Sequence, residues 1–320
     1  MFLALLLLFF GLAILIFGAE LLVRGAASLA RAWGVAPLVI GLTIVAFGTS
    51  APELVVNIVS ALRGASDIVI GNILGSNIFN ILLILGIASL IWPLRVKEST
   101  VWKEIPFALL AMLILAVAVN DRVLDGASAN VLSRSDALGL LGMLAIFLYY
   151  AFAIAKIGKD GEAEEEIKEY SLGVSAAFTA AGLLFLFFGG KLFVDQAVTL
   201  ARLAGLSEAL IGLTIVAAGT SLPELATSAV AAYRKHADIA VGNIVGSNIF
   251  NVFSILGITG LIAPVSFNAV LNVDVVVATA ATILLFVVMF IGKRHVLERW
   301  QGGAMLALFL IYMVYVVARG

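Results

Sequence analysis

Long apolar runs, punctuated by short polar or glycine-containing breaks, dominate this chain. Ten of them read as membrane-crossing helices, at 2–23, 35–62, 67–92, 101–119, 137–156, 171–203, 206–233, 238–264, 270–291 and 303–317. A hydrocarbon core of about 30 Å needs roughly 20 apolar residues of helix, which makes 101–119 the shortest fit. Two runs carry an internal break. The second contains Gly48-Thr49-Ser50-Ala51-Pro52-Glu53, and the seventh contains Gly219-Thr220-Ser221-Leu222-Pro223-Glu224. The third and eighth hold a second polar block, Gly71-Asn72-Ile73-Leu74-Gly75-Ser76-Asn77-Ile78-Phe79-Asn80 and Gly242-Asn243-Ile244-Val245-Gly246-Ser247-Asn248-Ile249-Phe250-Asn251.

These blocks are one pattern written twice. A shift of 171 residues aligns 40–87 with 211–258 without a gap, and 31 of the 48 positions are identical. The chain therefore divides into a first five-helix repeat at 1–156, a cytoplasmic linker at 157–170 and a second five-helix repeat at 171–320. Five is odd, so the second copy enters the membrane from the opposite side, the inverted repeat used by many secondary transporters. The predicted fold is an all-α polytopic membrane protein, ten transmembrane helices as two inverted five-helix repeats. With the N-terminus outside, 13 of the 19 Lys and Arg residues fall on the cytoplasmic side and 6 outside. Positive charge marks cytoplasmic loops, so both termini are predicted outside.

Composition fits this reading. The 320 residues are 63% hydrophobic and 12% charged, with a mean hydropathy of +1.17, where soluble domains carry about 25% charged residues. A net charge of −1 gives no electrostatic footprint for nucleic acid. The first apolar run lacks the basic start and small-residue cleavage site of a signal peptide and reads as a retained span. The absence of cysteine excludes disulfides and thiolate metal sites. The Glu162–Glu166 stretch reads as solvated linker, without the spacing of an EF-hand loop.

The repeated blocks carry the chemistry. Pro52 removes a backbone donor and clashes with the carbonyl of Gly48, so the helix should kink or unwind and free carbonyls around Ala46, Phe47 and Thr49. Unpaired backbone at membrane depth survives only where protein or a cavity satisfies it. Glu53 follows Thr49 and Ser50 by about one turn, so their oxygens can converge, and Ala217, Thr220, Ser221 and Glu224 repeat the set. Asn72, Ser76 and Asn80 share one helical face, as do Asn243, Ser247 and Asn251. Ser76, Asn80, Ser247 and Asn251 are the expected oxygen donors. Asn72 and Asn243 are expected to bond broken backbone, and Asn77 and Asn248, one residue off that face, are expected to be structural. Gly71, Gly75, Gly242 and Gly246 keep an adjoining stripe small enough for another helix to approach. Asp67 and Asp238 are expected to cap their helices. Glu20 either faces the interface or lines a cytoplasmic path.

Acidic groups within a span are costly and mark functional sites. Glu53 and Glu224 are the two carboxylates placed near the midplane, with no Lys or Arg mid-span to neutralise them. Facing each other they would repel, and a divalent cation, two monovalent ones or protons would relieve this. All-oxygen ligation selects Ca²⁺, Na⁺ or Mg²⁺ over zinc or copper, and Ca²⁺ and Na⁺ shed water more readily than Mg²⁺.

The paired G-T-S-x-P-E and G-S-N-I-F-N blocks resemble the α-repeats of the sodium/calcium exchanger family, within the calcium:cation antiporter superfamily. The resemblance implies a metal site made of Ala46 (through its carbonyl), Thr49, Ser50, Glu53, Ser76 and Asn80 with Ala217, Thr220, Ser221, Glu224, Ser247 and Asn251. It further implies that Ca²⁺ and Na⁺ bind there in turn as transported ions, with no prosthetic group, while the first and sixth helices slide across the other eight. Some relatives carry Asp where this chain has Asn251, so two acidic ligands remain here rather than three. That leaves Na⁺, H⁺ and K⁺ open as the coupling ion. The predicted function is a Ca²⁺/Na⁺ antiporter of the cell membrane, functional as a monomer, with H⁺- or K⁺-coupled Ca²⁺ antiport as the alternative. A cation channel is disfavoured because channels are usually built from parallel repeats around a pore. An ATP-driven pump lacks a Walker motif, and nothing resembles the Ser-His or paired-Asp set of an intramembrane enzyme.

Overall fold

The structure, a computed structural model, describes residues 1–157, 170–204 and 217–319. Its helices are α1 (Phe2–Trp33), α2 (Pro37–Thr49 continuing as Ala51–Leu62), α3 (Ser66–Ile91), α4 (Thr100–Ala118) and α5 (Arg134–Ile157). They continue as α6 (Leu172–Leu203), α7 (Ala217–Gly219 continuing as Leu222–Tyr233), α8 (Ala237–Ile262), α9 (Ala269–Val288) and α10 (Arg299–Arg319). Among the described residues, eight helices are long and apolar enough to cross a membrane, and the bent α2 makes a ninth. The start of the seventh predicted span and residues 158–169 of the predicted 157–170 linker, with the Glu162–Glu166 stretch, lie outside the described residues. The fold is an all-helical polytopic membrane bundle.

Most predicted runs match helices to within a few residues, with two differences. The first helix runs ten residues past the predicted 2–23, to Trp33. Nothing in Arg24–Ala32 breaks a helix, and the stop comes at Gly34, which takes the left-handed conformation at φ 63°. That conformation suits glycine because it carries no Cβ. Asp67 and Asp238 do not cap their helices. The N-cap positions are Ala65 and His236, and neither helix has a side-chain cap bond. Both carboxylates sit in the first turn instead, where the helix dipole favours negative charge, and Asp238 forms an ion pair with Lys97 at 2.8 Å.

α3 and α8 form the centre of the bundle, with 67% and 89% of their apolar windows buried. Their ends are closed by matching contacts. Arg299 donates to the carbonyls of Leu90 and Ile91 at the end of α3. Arg134 does the same for Leu261 and Ile262 at the end of α8. Beside each lies a two-residue antiparallel ladder. β1 (Leu94–Arg95) pairs with β4 (Val296–Leu297), and β2 (Val131–Leu132) pairs with β3 (Val265–Ser266). Each ladder ties one half of the chain to the other.

α1 and α6 pack on each other as an antiparallel pair along small residues. A Cβ added at Gly182 would lie 2.6 Å from the Leu22 backbone nitrogen, and one at Gly11 would lie 2.8 Å from that of Phe193. Such backbone approach is the small-residue packing of membrane helices. Leu15, Ala19, Leu22 and Ala26 of α1 and Leu186 of α6 form a cluster with Ile40, Val45 and Ala226, separate from the main core of α3, α4 and α8. Exposed Phe2, Phe9, Phe188, Phe152, Ile311 and Val314 present the apolar outer surface that lipid requires.

Candidate cation site

The site forms where the two broken helices, α2 and α7, meet the central pair, α3 and α8. α2 bends by 44° between its two segments. The bend falls at Ser50, inside the predicted Gly48–Glu53 break, with φ −83° and ψ 8°. Ser221 has nearly the same conformation in α7, φ −88° and ψ 8°. Proline explains both breaks. Pro52 and Pro223 start the following helical segment in its first turn, where the missing N–H leaves nothing unpaired. The chain bends rather than unwinds. The Ala46 carbonyl still accepts the Ser50 N–H at 3.1 Å and the Thr49 hydroxyl at 3.3 Å.

A second irregularity lies on the same residues. α-helical geometry loosens to a π-helical turn at Gly41–Val45 in α2, Phe79–Ile84 in α3 and Asn251–Leu256 in α8. Asn80 and Asn251 each sit inside or at the start of such a turn. π-turns gather at functional sites, and no residue pattern in the sequence announces them.

The side chains exchange across the two halves. The Ser50 hydroxyl donates to Glu224 Oε1 at 2.7 Å, and the Ser221 hydroxyl donates to Glu53 Oε1 at 3.0 Å. Ser50 contacts Ser247 at 3.1 Å, and Ser221 contacts Ser76 at 3.2 Å. Thr49 donates to Asn243 Oδ1 at 3.1 Å, and Thr220 to Asn72 Oδ1 at 3.4 Å. Each carboxylate is therefore held by a hydroxyl of the opposite half. Of the twelve predicted residues, eleven have described side chains; Thr49, Ser50, Glu53, Ser76, Thr220, Ser221, Glu224 and Ser247 belong to this arrangement, Ala46 lies at the bend, and Asn80 and Asn251 bond asparagines of the opposite half. For Ala217 only the backbone position, at the start of α7, is described.

Asn80 Nδ2 donates to Asn248 Oδ1, and Asn251 Nδ2 donates to Asn77 Oδ1, both at 2.9 Å. Asn77 and Asn248 also donate to each other's backbone carbonyls, at 3.5 and 3.3 Å. They anchor the two outer amides, so the carbonyl oxygens of Asn80 and Asn251 stay free. Asn243 meets one expected backbone partner, the Glu224 carbonyl, at 3.4 Å. Asn72 bonds the side chain of Asn57 instead, at 2.9 Å, as Asn243 bonds Ser228 at 3.0 Å. Sequence reading missed Asn57 and Ser228. Both are polar, one turn after the glutamates, at the same register in the two halves. Because the residue types differ, a search for identities passes over them.

Four acceptors end without a partner: Glu53 Oε2, Glu224 Oε2, Asn80 Oδ1 and Asn251 Oδ1. Each belongs to a residue 1% exposed. A buried, unpaired carboxylate oxygen is expensive, and here two occur with two amide oxygens, in matched positions of the repeat. This donor set is all oxygen and net negative, which suits a hard cation. No Lys or Arg contacts either carboxylate among the described residues.

The family model described as sodium/calcium exchanger protein matches residues 3–153 and 174–318. The chain belongs to the sodium/calcium exchanger family. This is a family of antiporters, not of enzymes. The chain is 31% identical over 318 residues to the sodium/calcium exchanger MaX1 of Methanosarcina acetivorans, covering 90% of this chain and 91% of that one. It is 39% identical over 244 residues to the inner membrane protein YrbG of Escherichia coli, covering 74% and 73%. In three dimensions it is similar to a solved structure of the sodium-calcium exchanger NCX_Mj soaked with 10 mM Na⁺ and no Ca²⁺. The TM-score there is 0.82, at 33% identity, with 98% of each chain covered. Membership fits the exchanger repeat blocks, which lie where this fold buries two glutamates among hydroxyl and amide side chains.

Proposed function

We propose that this chain is a secondary active antiporter that exchanges Ca²⁺ for Na⁺ by alternating access at one midplane site. The ion ligands are Glu53, Glu224, Ser50, Ser221, Thr49, Thr220, Ser76, Ser247, Asn80 and Asn251, with the carbonyls of Ala46 and Ala217. The observation that supports this most directly is the matched set of four buried oxygens without partners, two of them carboxylate. A Ca²⁺ ion neutralises both carboxylates together, and Na⁺ ions or protons do so in its absence. One site visited from both sides calls for a scaffold that looks alike from each. Ten spans in two inverted repeats provide that scaffold, and the reciprocal bonds between the halves fit it.

The walls also argue for a carrier over a pore. Among the described residues, Glu53, Glu224, Ser221, Ser247, Asn80 and Asn251 are almost fully buried, while Thr220 is half-buried, and ligands enclosed to this degree fit a carrier better than a water-filled pore. α1 and α6 pack closely on each other through small residues and share a small cluster with Ile40, Val45 and Ala226, the kind of pair that can shift against the rest. The protein sits in the cell membrane with both termini outside and works as a monomer.

The test is uptake of radiolabelled calcium into vesicles under imposed Na⁺, K⁺ or H⁺ gradients. Uptake that follows the Na⁺ gradient supports the proposal. Uptake that follows K⁺ or H⁺ alone moves the coupling to that ion. Failure with all three sinks the antiporter reading.

A further inference from the structure

Away from the central site, each half buries one more carboxylate among the described residues, near the start of its fourth helix, and the two are treated differently. In the second half Asp274, at 3% exposure, accepts the Tyr312 hydroxyl at 2.6 Å on Oδ1 and an Arg319 guanidinium N–H at 2.7 Å on Oδ2. Both oxygens are satisfied and the charge is cancelled. In the first half Glu104, at 0% exposure, accepts the Tyr150 hydroxyl on Oε1. Its Oε2 has no partner, and no basic side chain pairs with it among the described residues.

A second buried oxygen lies on the same turn. Thr100 is 1% exposed, and its hydroxyl also has no partner. Thr100 and Glu104 are four residues apart on the π-helical turn Thr100–Glu104, which sets both side chains on one face. The surroundings are apolar. Phe107 lies parallel to Tyr150 with ring centroids 6.5 Å apart, and Phe253 meets Phe107 edge-on at 5.9 Å. The adjacent Lys103 is exposed. A lone carboxylate in such a place is costly unless a positive charge joins it.

We propose that Glu104, Thr100 and Tyr150 form a second cation site, which takes one alkali-metal ion where the other half places the Arg319 guanidinium. A carboxylate oxygen and a hydroxyl oxygen are hard donors suited to such an ion. A single carboxylate balances one charge, so a divalent ion would leave an excess positive charge in the apolar wall. The site is separate from the central one and does not depend on which ions that one carries.

The experiment uses the full chain in lipid nanodiscs, with Glu53→Gln and Glu224→Gln introduced together to weaken the central site. Thermal unfolding midpoints are followed as NaCl or KCl replaces choline chloride at constant ionic strength, at two pH values. The expected result is a saturable rise in the midpoint with Na⁺ or K⁺, about 4 °C at a hundred-fold excess over half-saturation. Comparing the two salts shows which ion fits. Adding Glu104→Gln should abolish the rise. If that variant does not fold, Thr100→Val keeps the carboxylate and should raise the half-saturating concentration at least several-fold. An alkali-ion effect unchanged by Glu104→Gln or by Thr100→Val overturns the site. So does a midpoint that responds to pH and not to Na⁺ or K⁺, which would assign Glu104 a proton instead.

Discussion

The two halves of this chain agree at the central site and diverge away from it. At the centre Ser50 serves Glu224 as Ser221 serves Glu53, and Asn80 is anchored as Asn251 is. Away from it the pairing breaks down. Glu20 of α1 is bonded by Arg24 and by Arg234 of α7. The positions 171 residues away in the repeat are Lys191 and Arg63, two like charges that cannot form such a pair. Asp274 has Arg319, and Glu104 has no matching cation among the described residues. The difference teaches where duplicate sequence is held in step. Under the proposed alternating access, a site that presents the same ligands to two sides has little room for divergence. A contact that holds only one face of the membrane bundle does not carry that constraint.

The sharpest way to break the comparison is at the carboxylates. Glu53→Gln and Glu224→Gln should each abolish calcium transport in vesicles while the protein still folds, because each removes half the negative charge of the site. Wild-type flux in either variant would remove that residue from the site. Next come the hydroxyls. Ser50→Ala and Ser221→Ala should weaken apparent calcium affinity by similar factors, about 10- to 150-fold each, since a hydrogen bond to a charged group contributes about 1.5–3 kcal/mol. Clearly unequal losses would show that the halves are not functionally equivalent.

Asn251→Asp tests symmetry from the other direction by adding a third carboxylate on one side. It should change the preference among Na⁺, K⁺ and H⁺ gradients in the flux assay, and an unchanged preference counts against Asn251 as a ligand. The smallest effect belongs to Glu20→Gln. The Glu20 side chain is 20% exposed and Arg234 43%, and exposed pairs contribute about 0–1 kcal/mol. Its unfolding midpoint should therefore fall by no more than a few degrees, as read by thermal denaturation in detergent. A larger loss would make this contact a major tie between α1 and α7.

Much of the candidate site was legible in sequence because its residues are exceptional there. A Glu, a Pro and two hydroxyls inside an apolar run stand out, and their repetition at one offset pairs the runs without any coordinates. Glu104 shows the limit. It lies at the edge of a span, where a charged residue needs no explanation, and only packing shows it to be fully buried. Asn57 and Ser228 were hidden for another reason. They share a role but not a residue type. Asp67 and Asp238 looked like caps because that residue type favours helix starts, yet the helices begin earlier and leave the carboxylates in the first turn.

By itself the sequence determined the all-helical membrane bundle, since only helices of this apolar length satisfy their backbone in lipid. It also determined the two break points, which follow from proline sterics, and the list of oxygen-bearing residues near them. Tertiary structure alone decided the pairing: which hydroxyl serves which carboxylate, which asparagines anchor and which stay free, and where helices loosen into π-turns. The physical reason is range. Steric breaks and hydrophobic length act within a few residues, whereas hydrogen bonds spanning some 170 positions exist only once two distant helices meet.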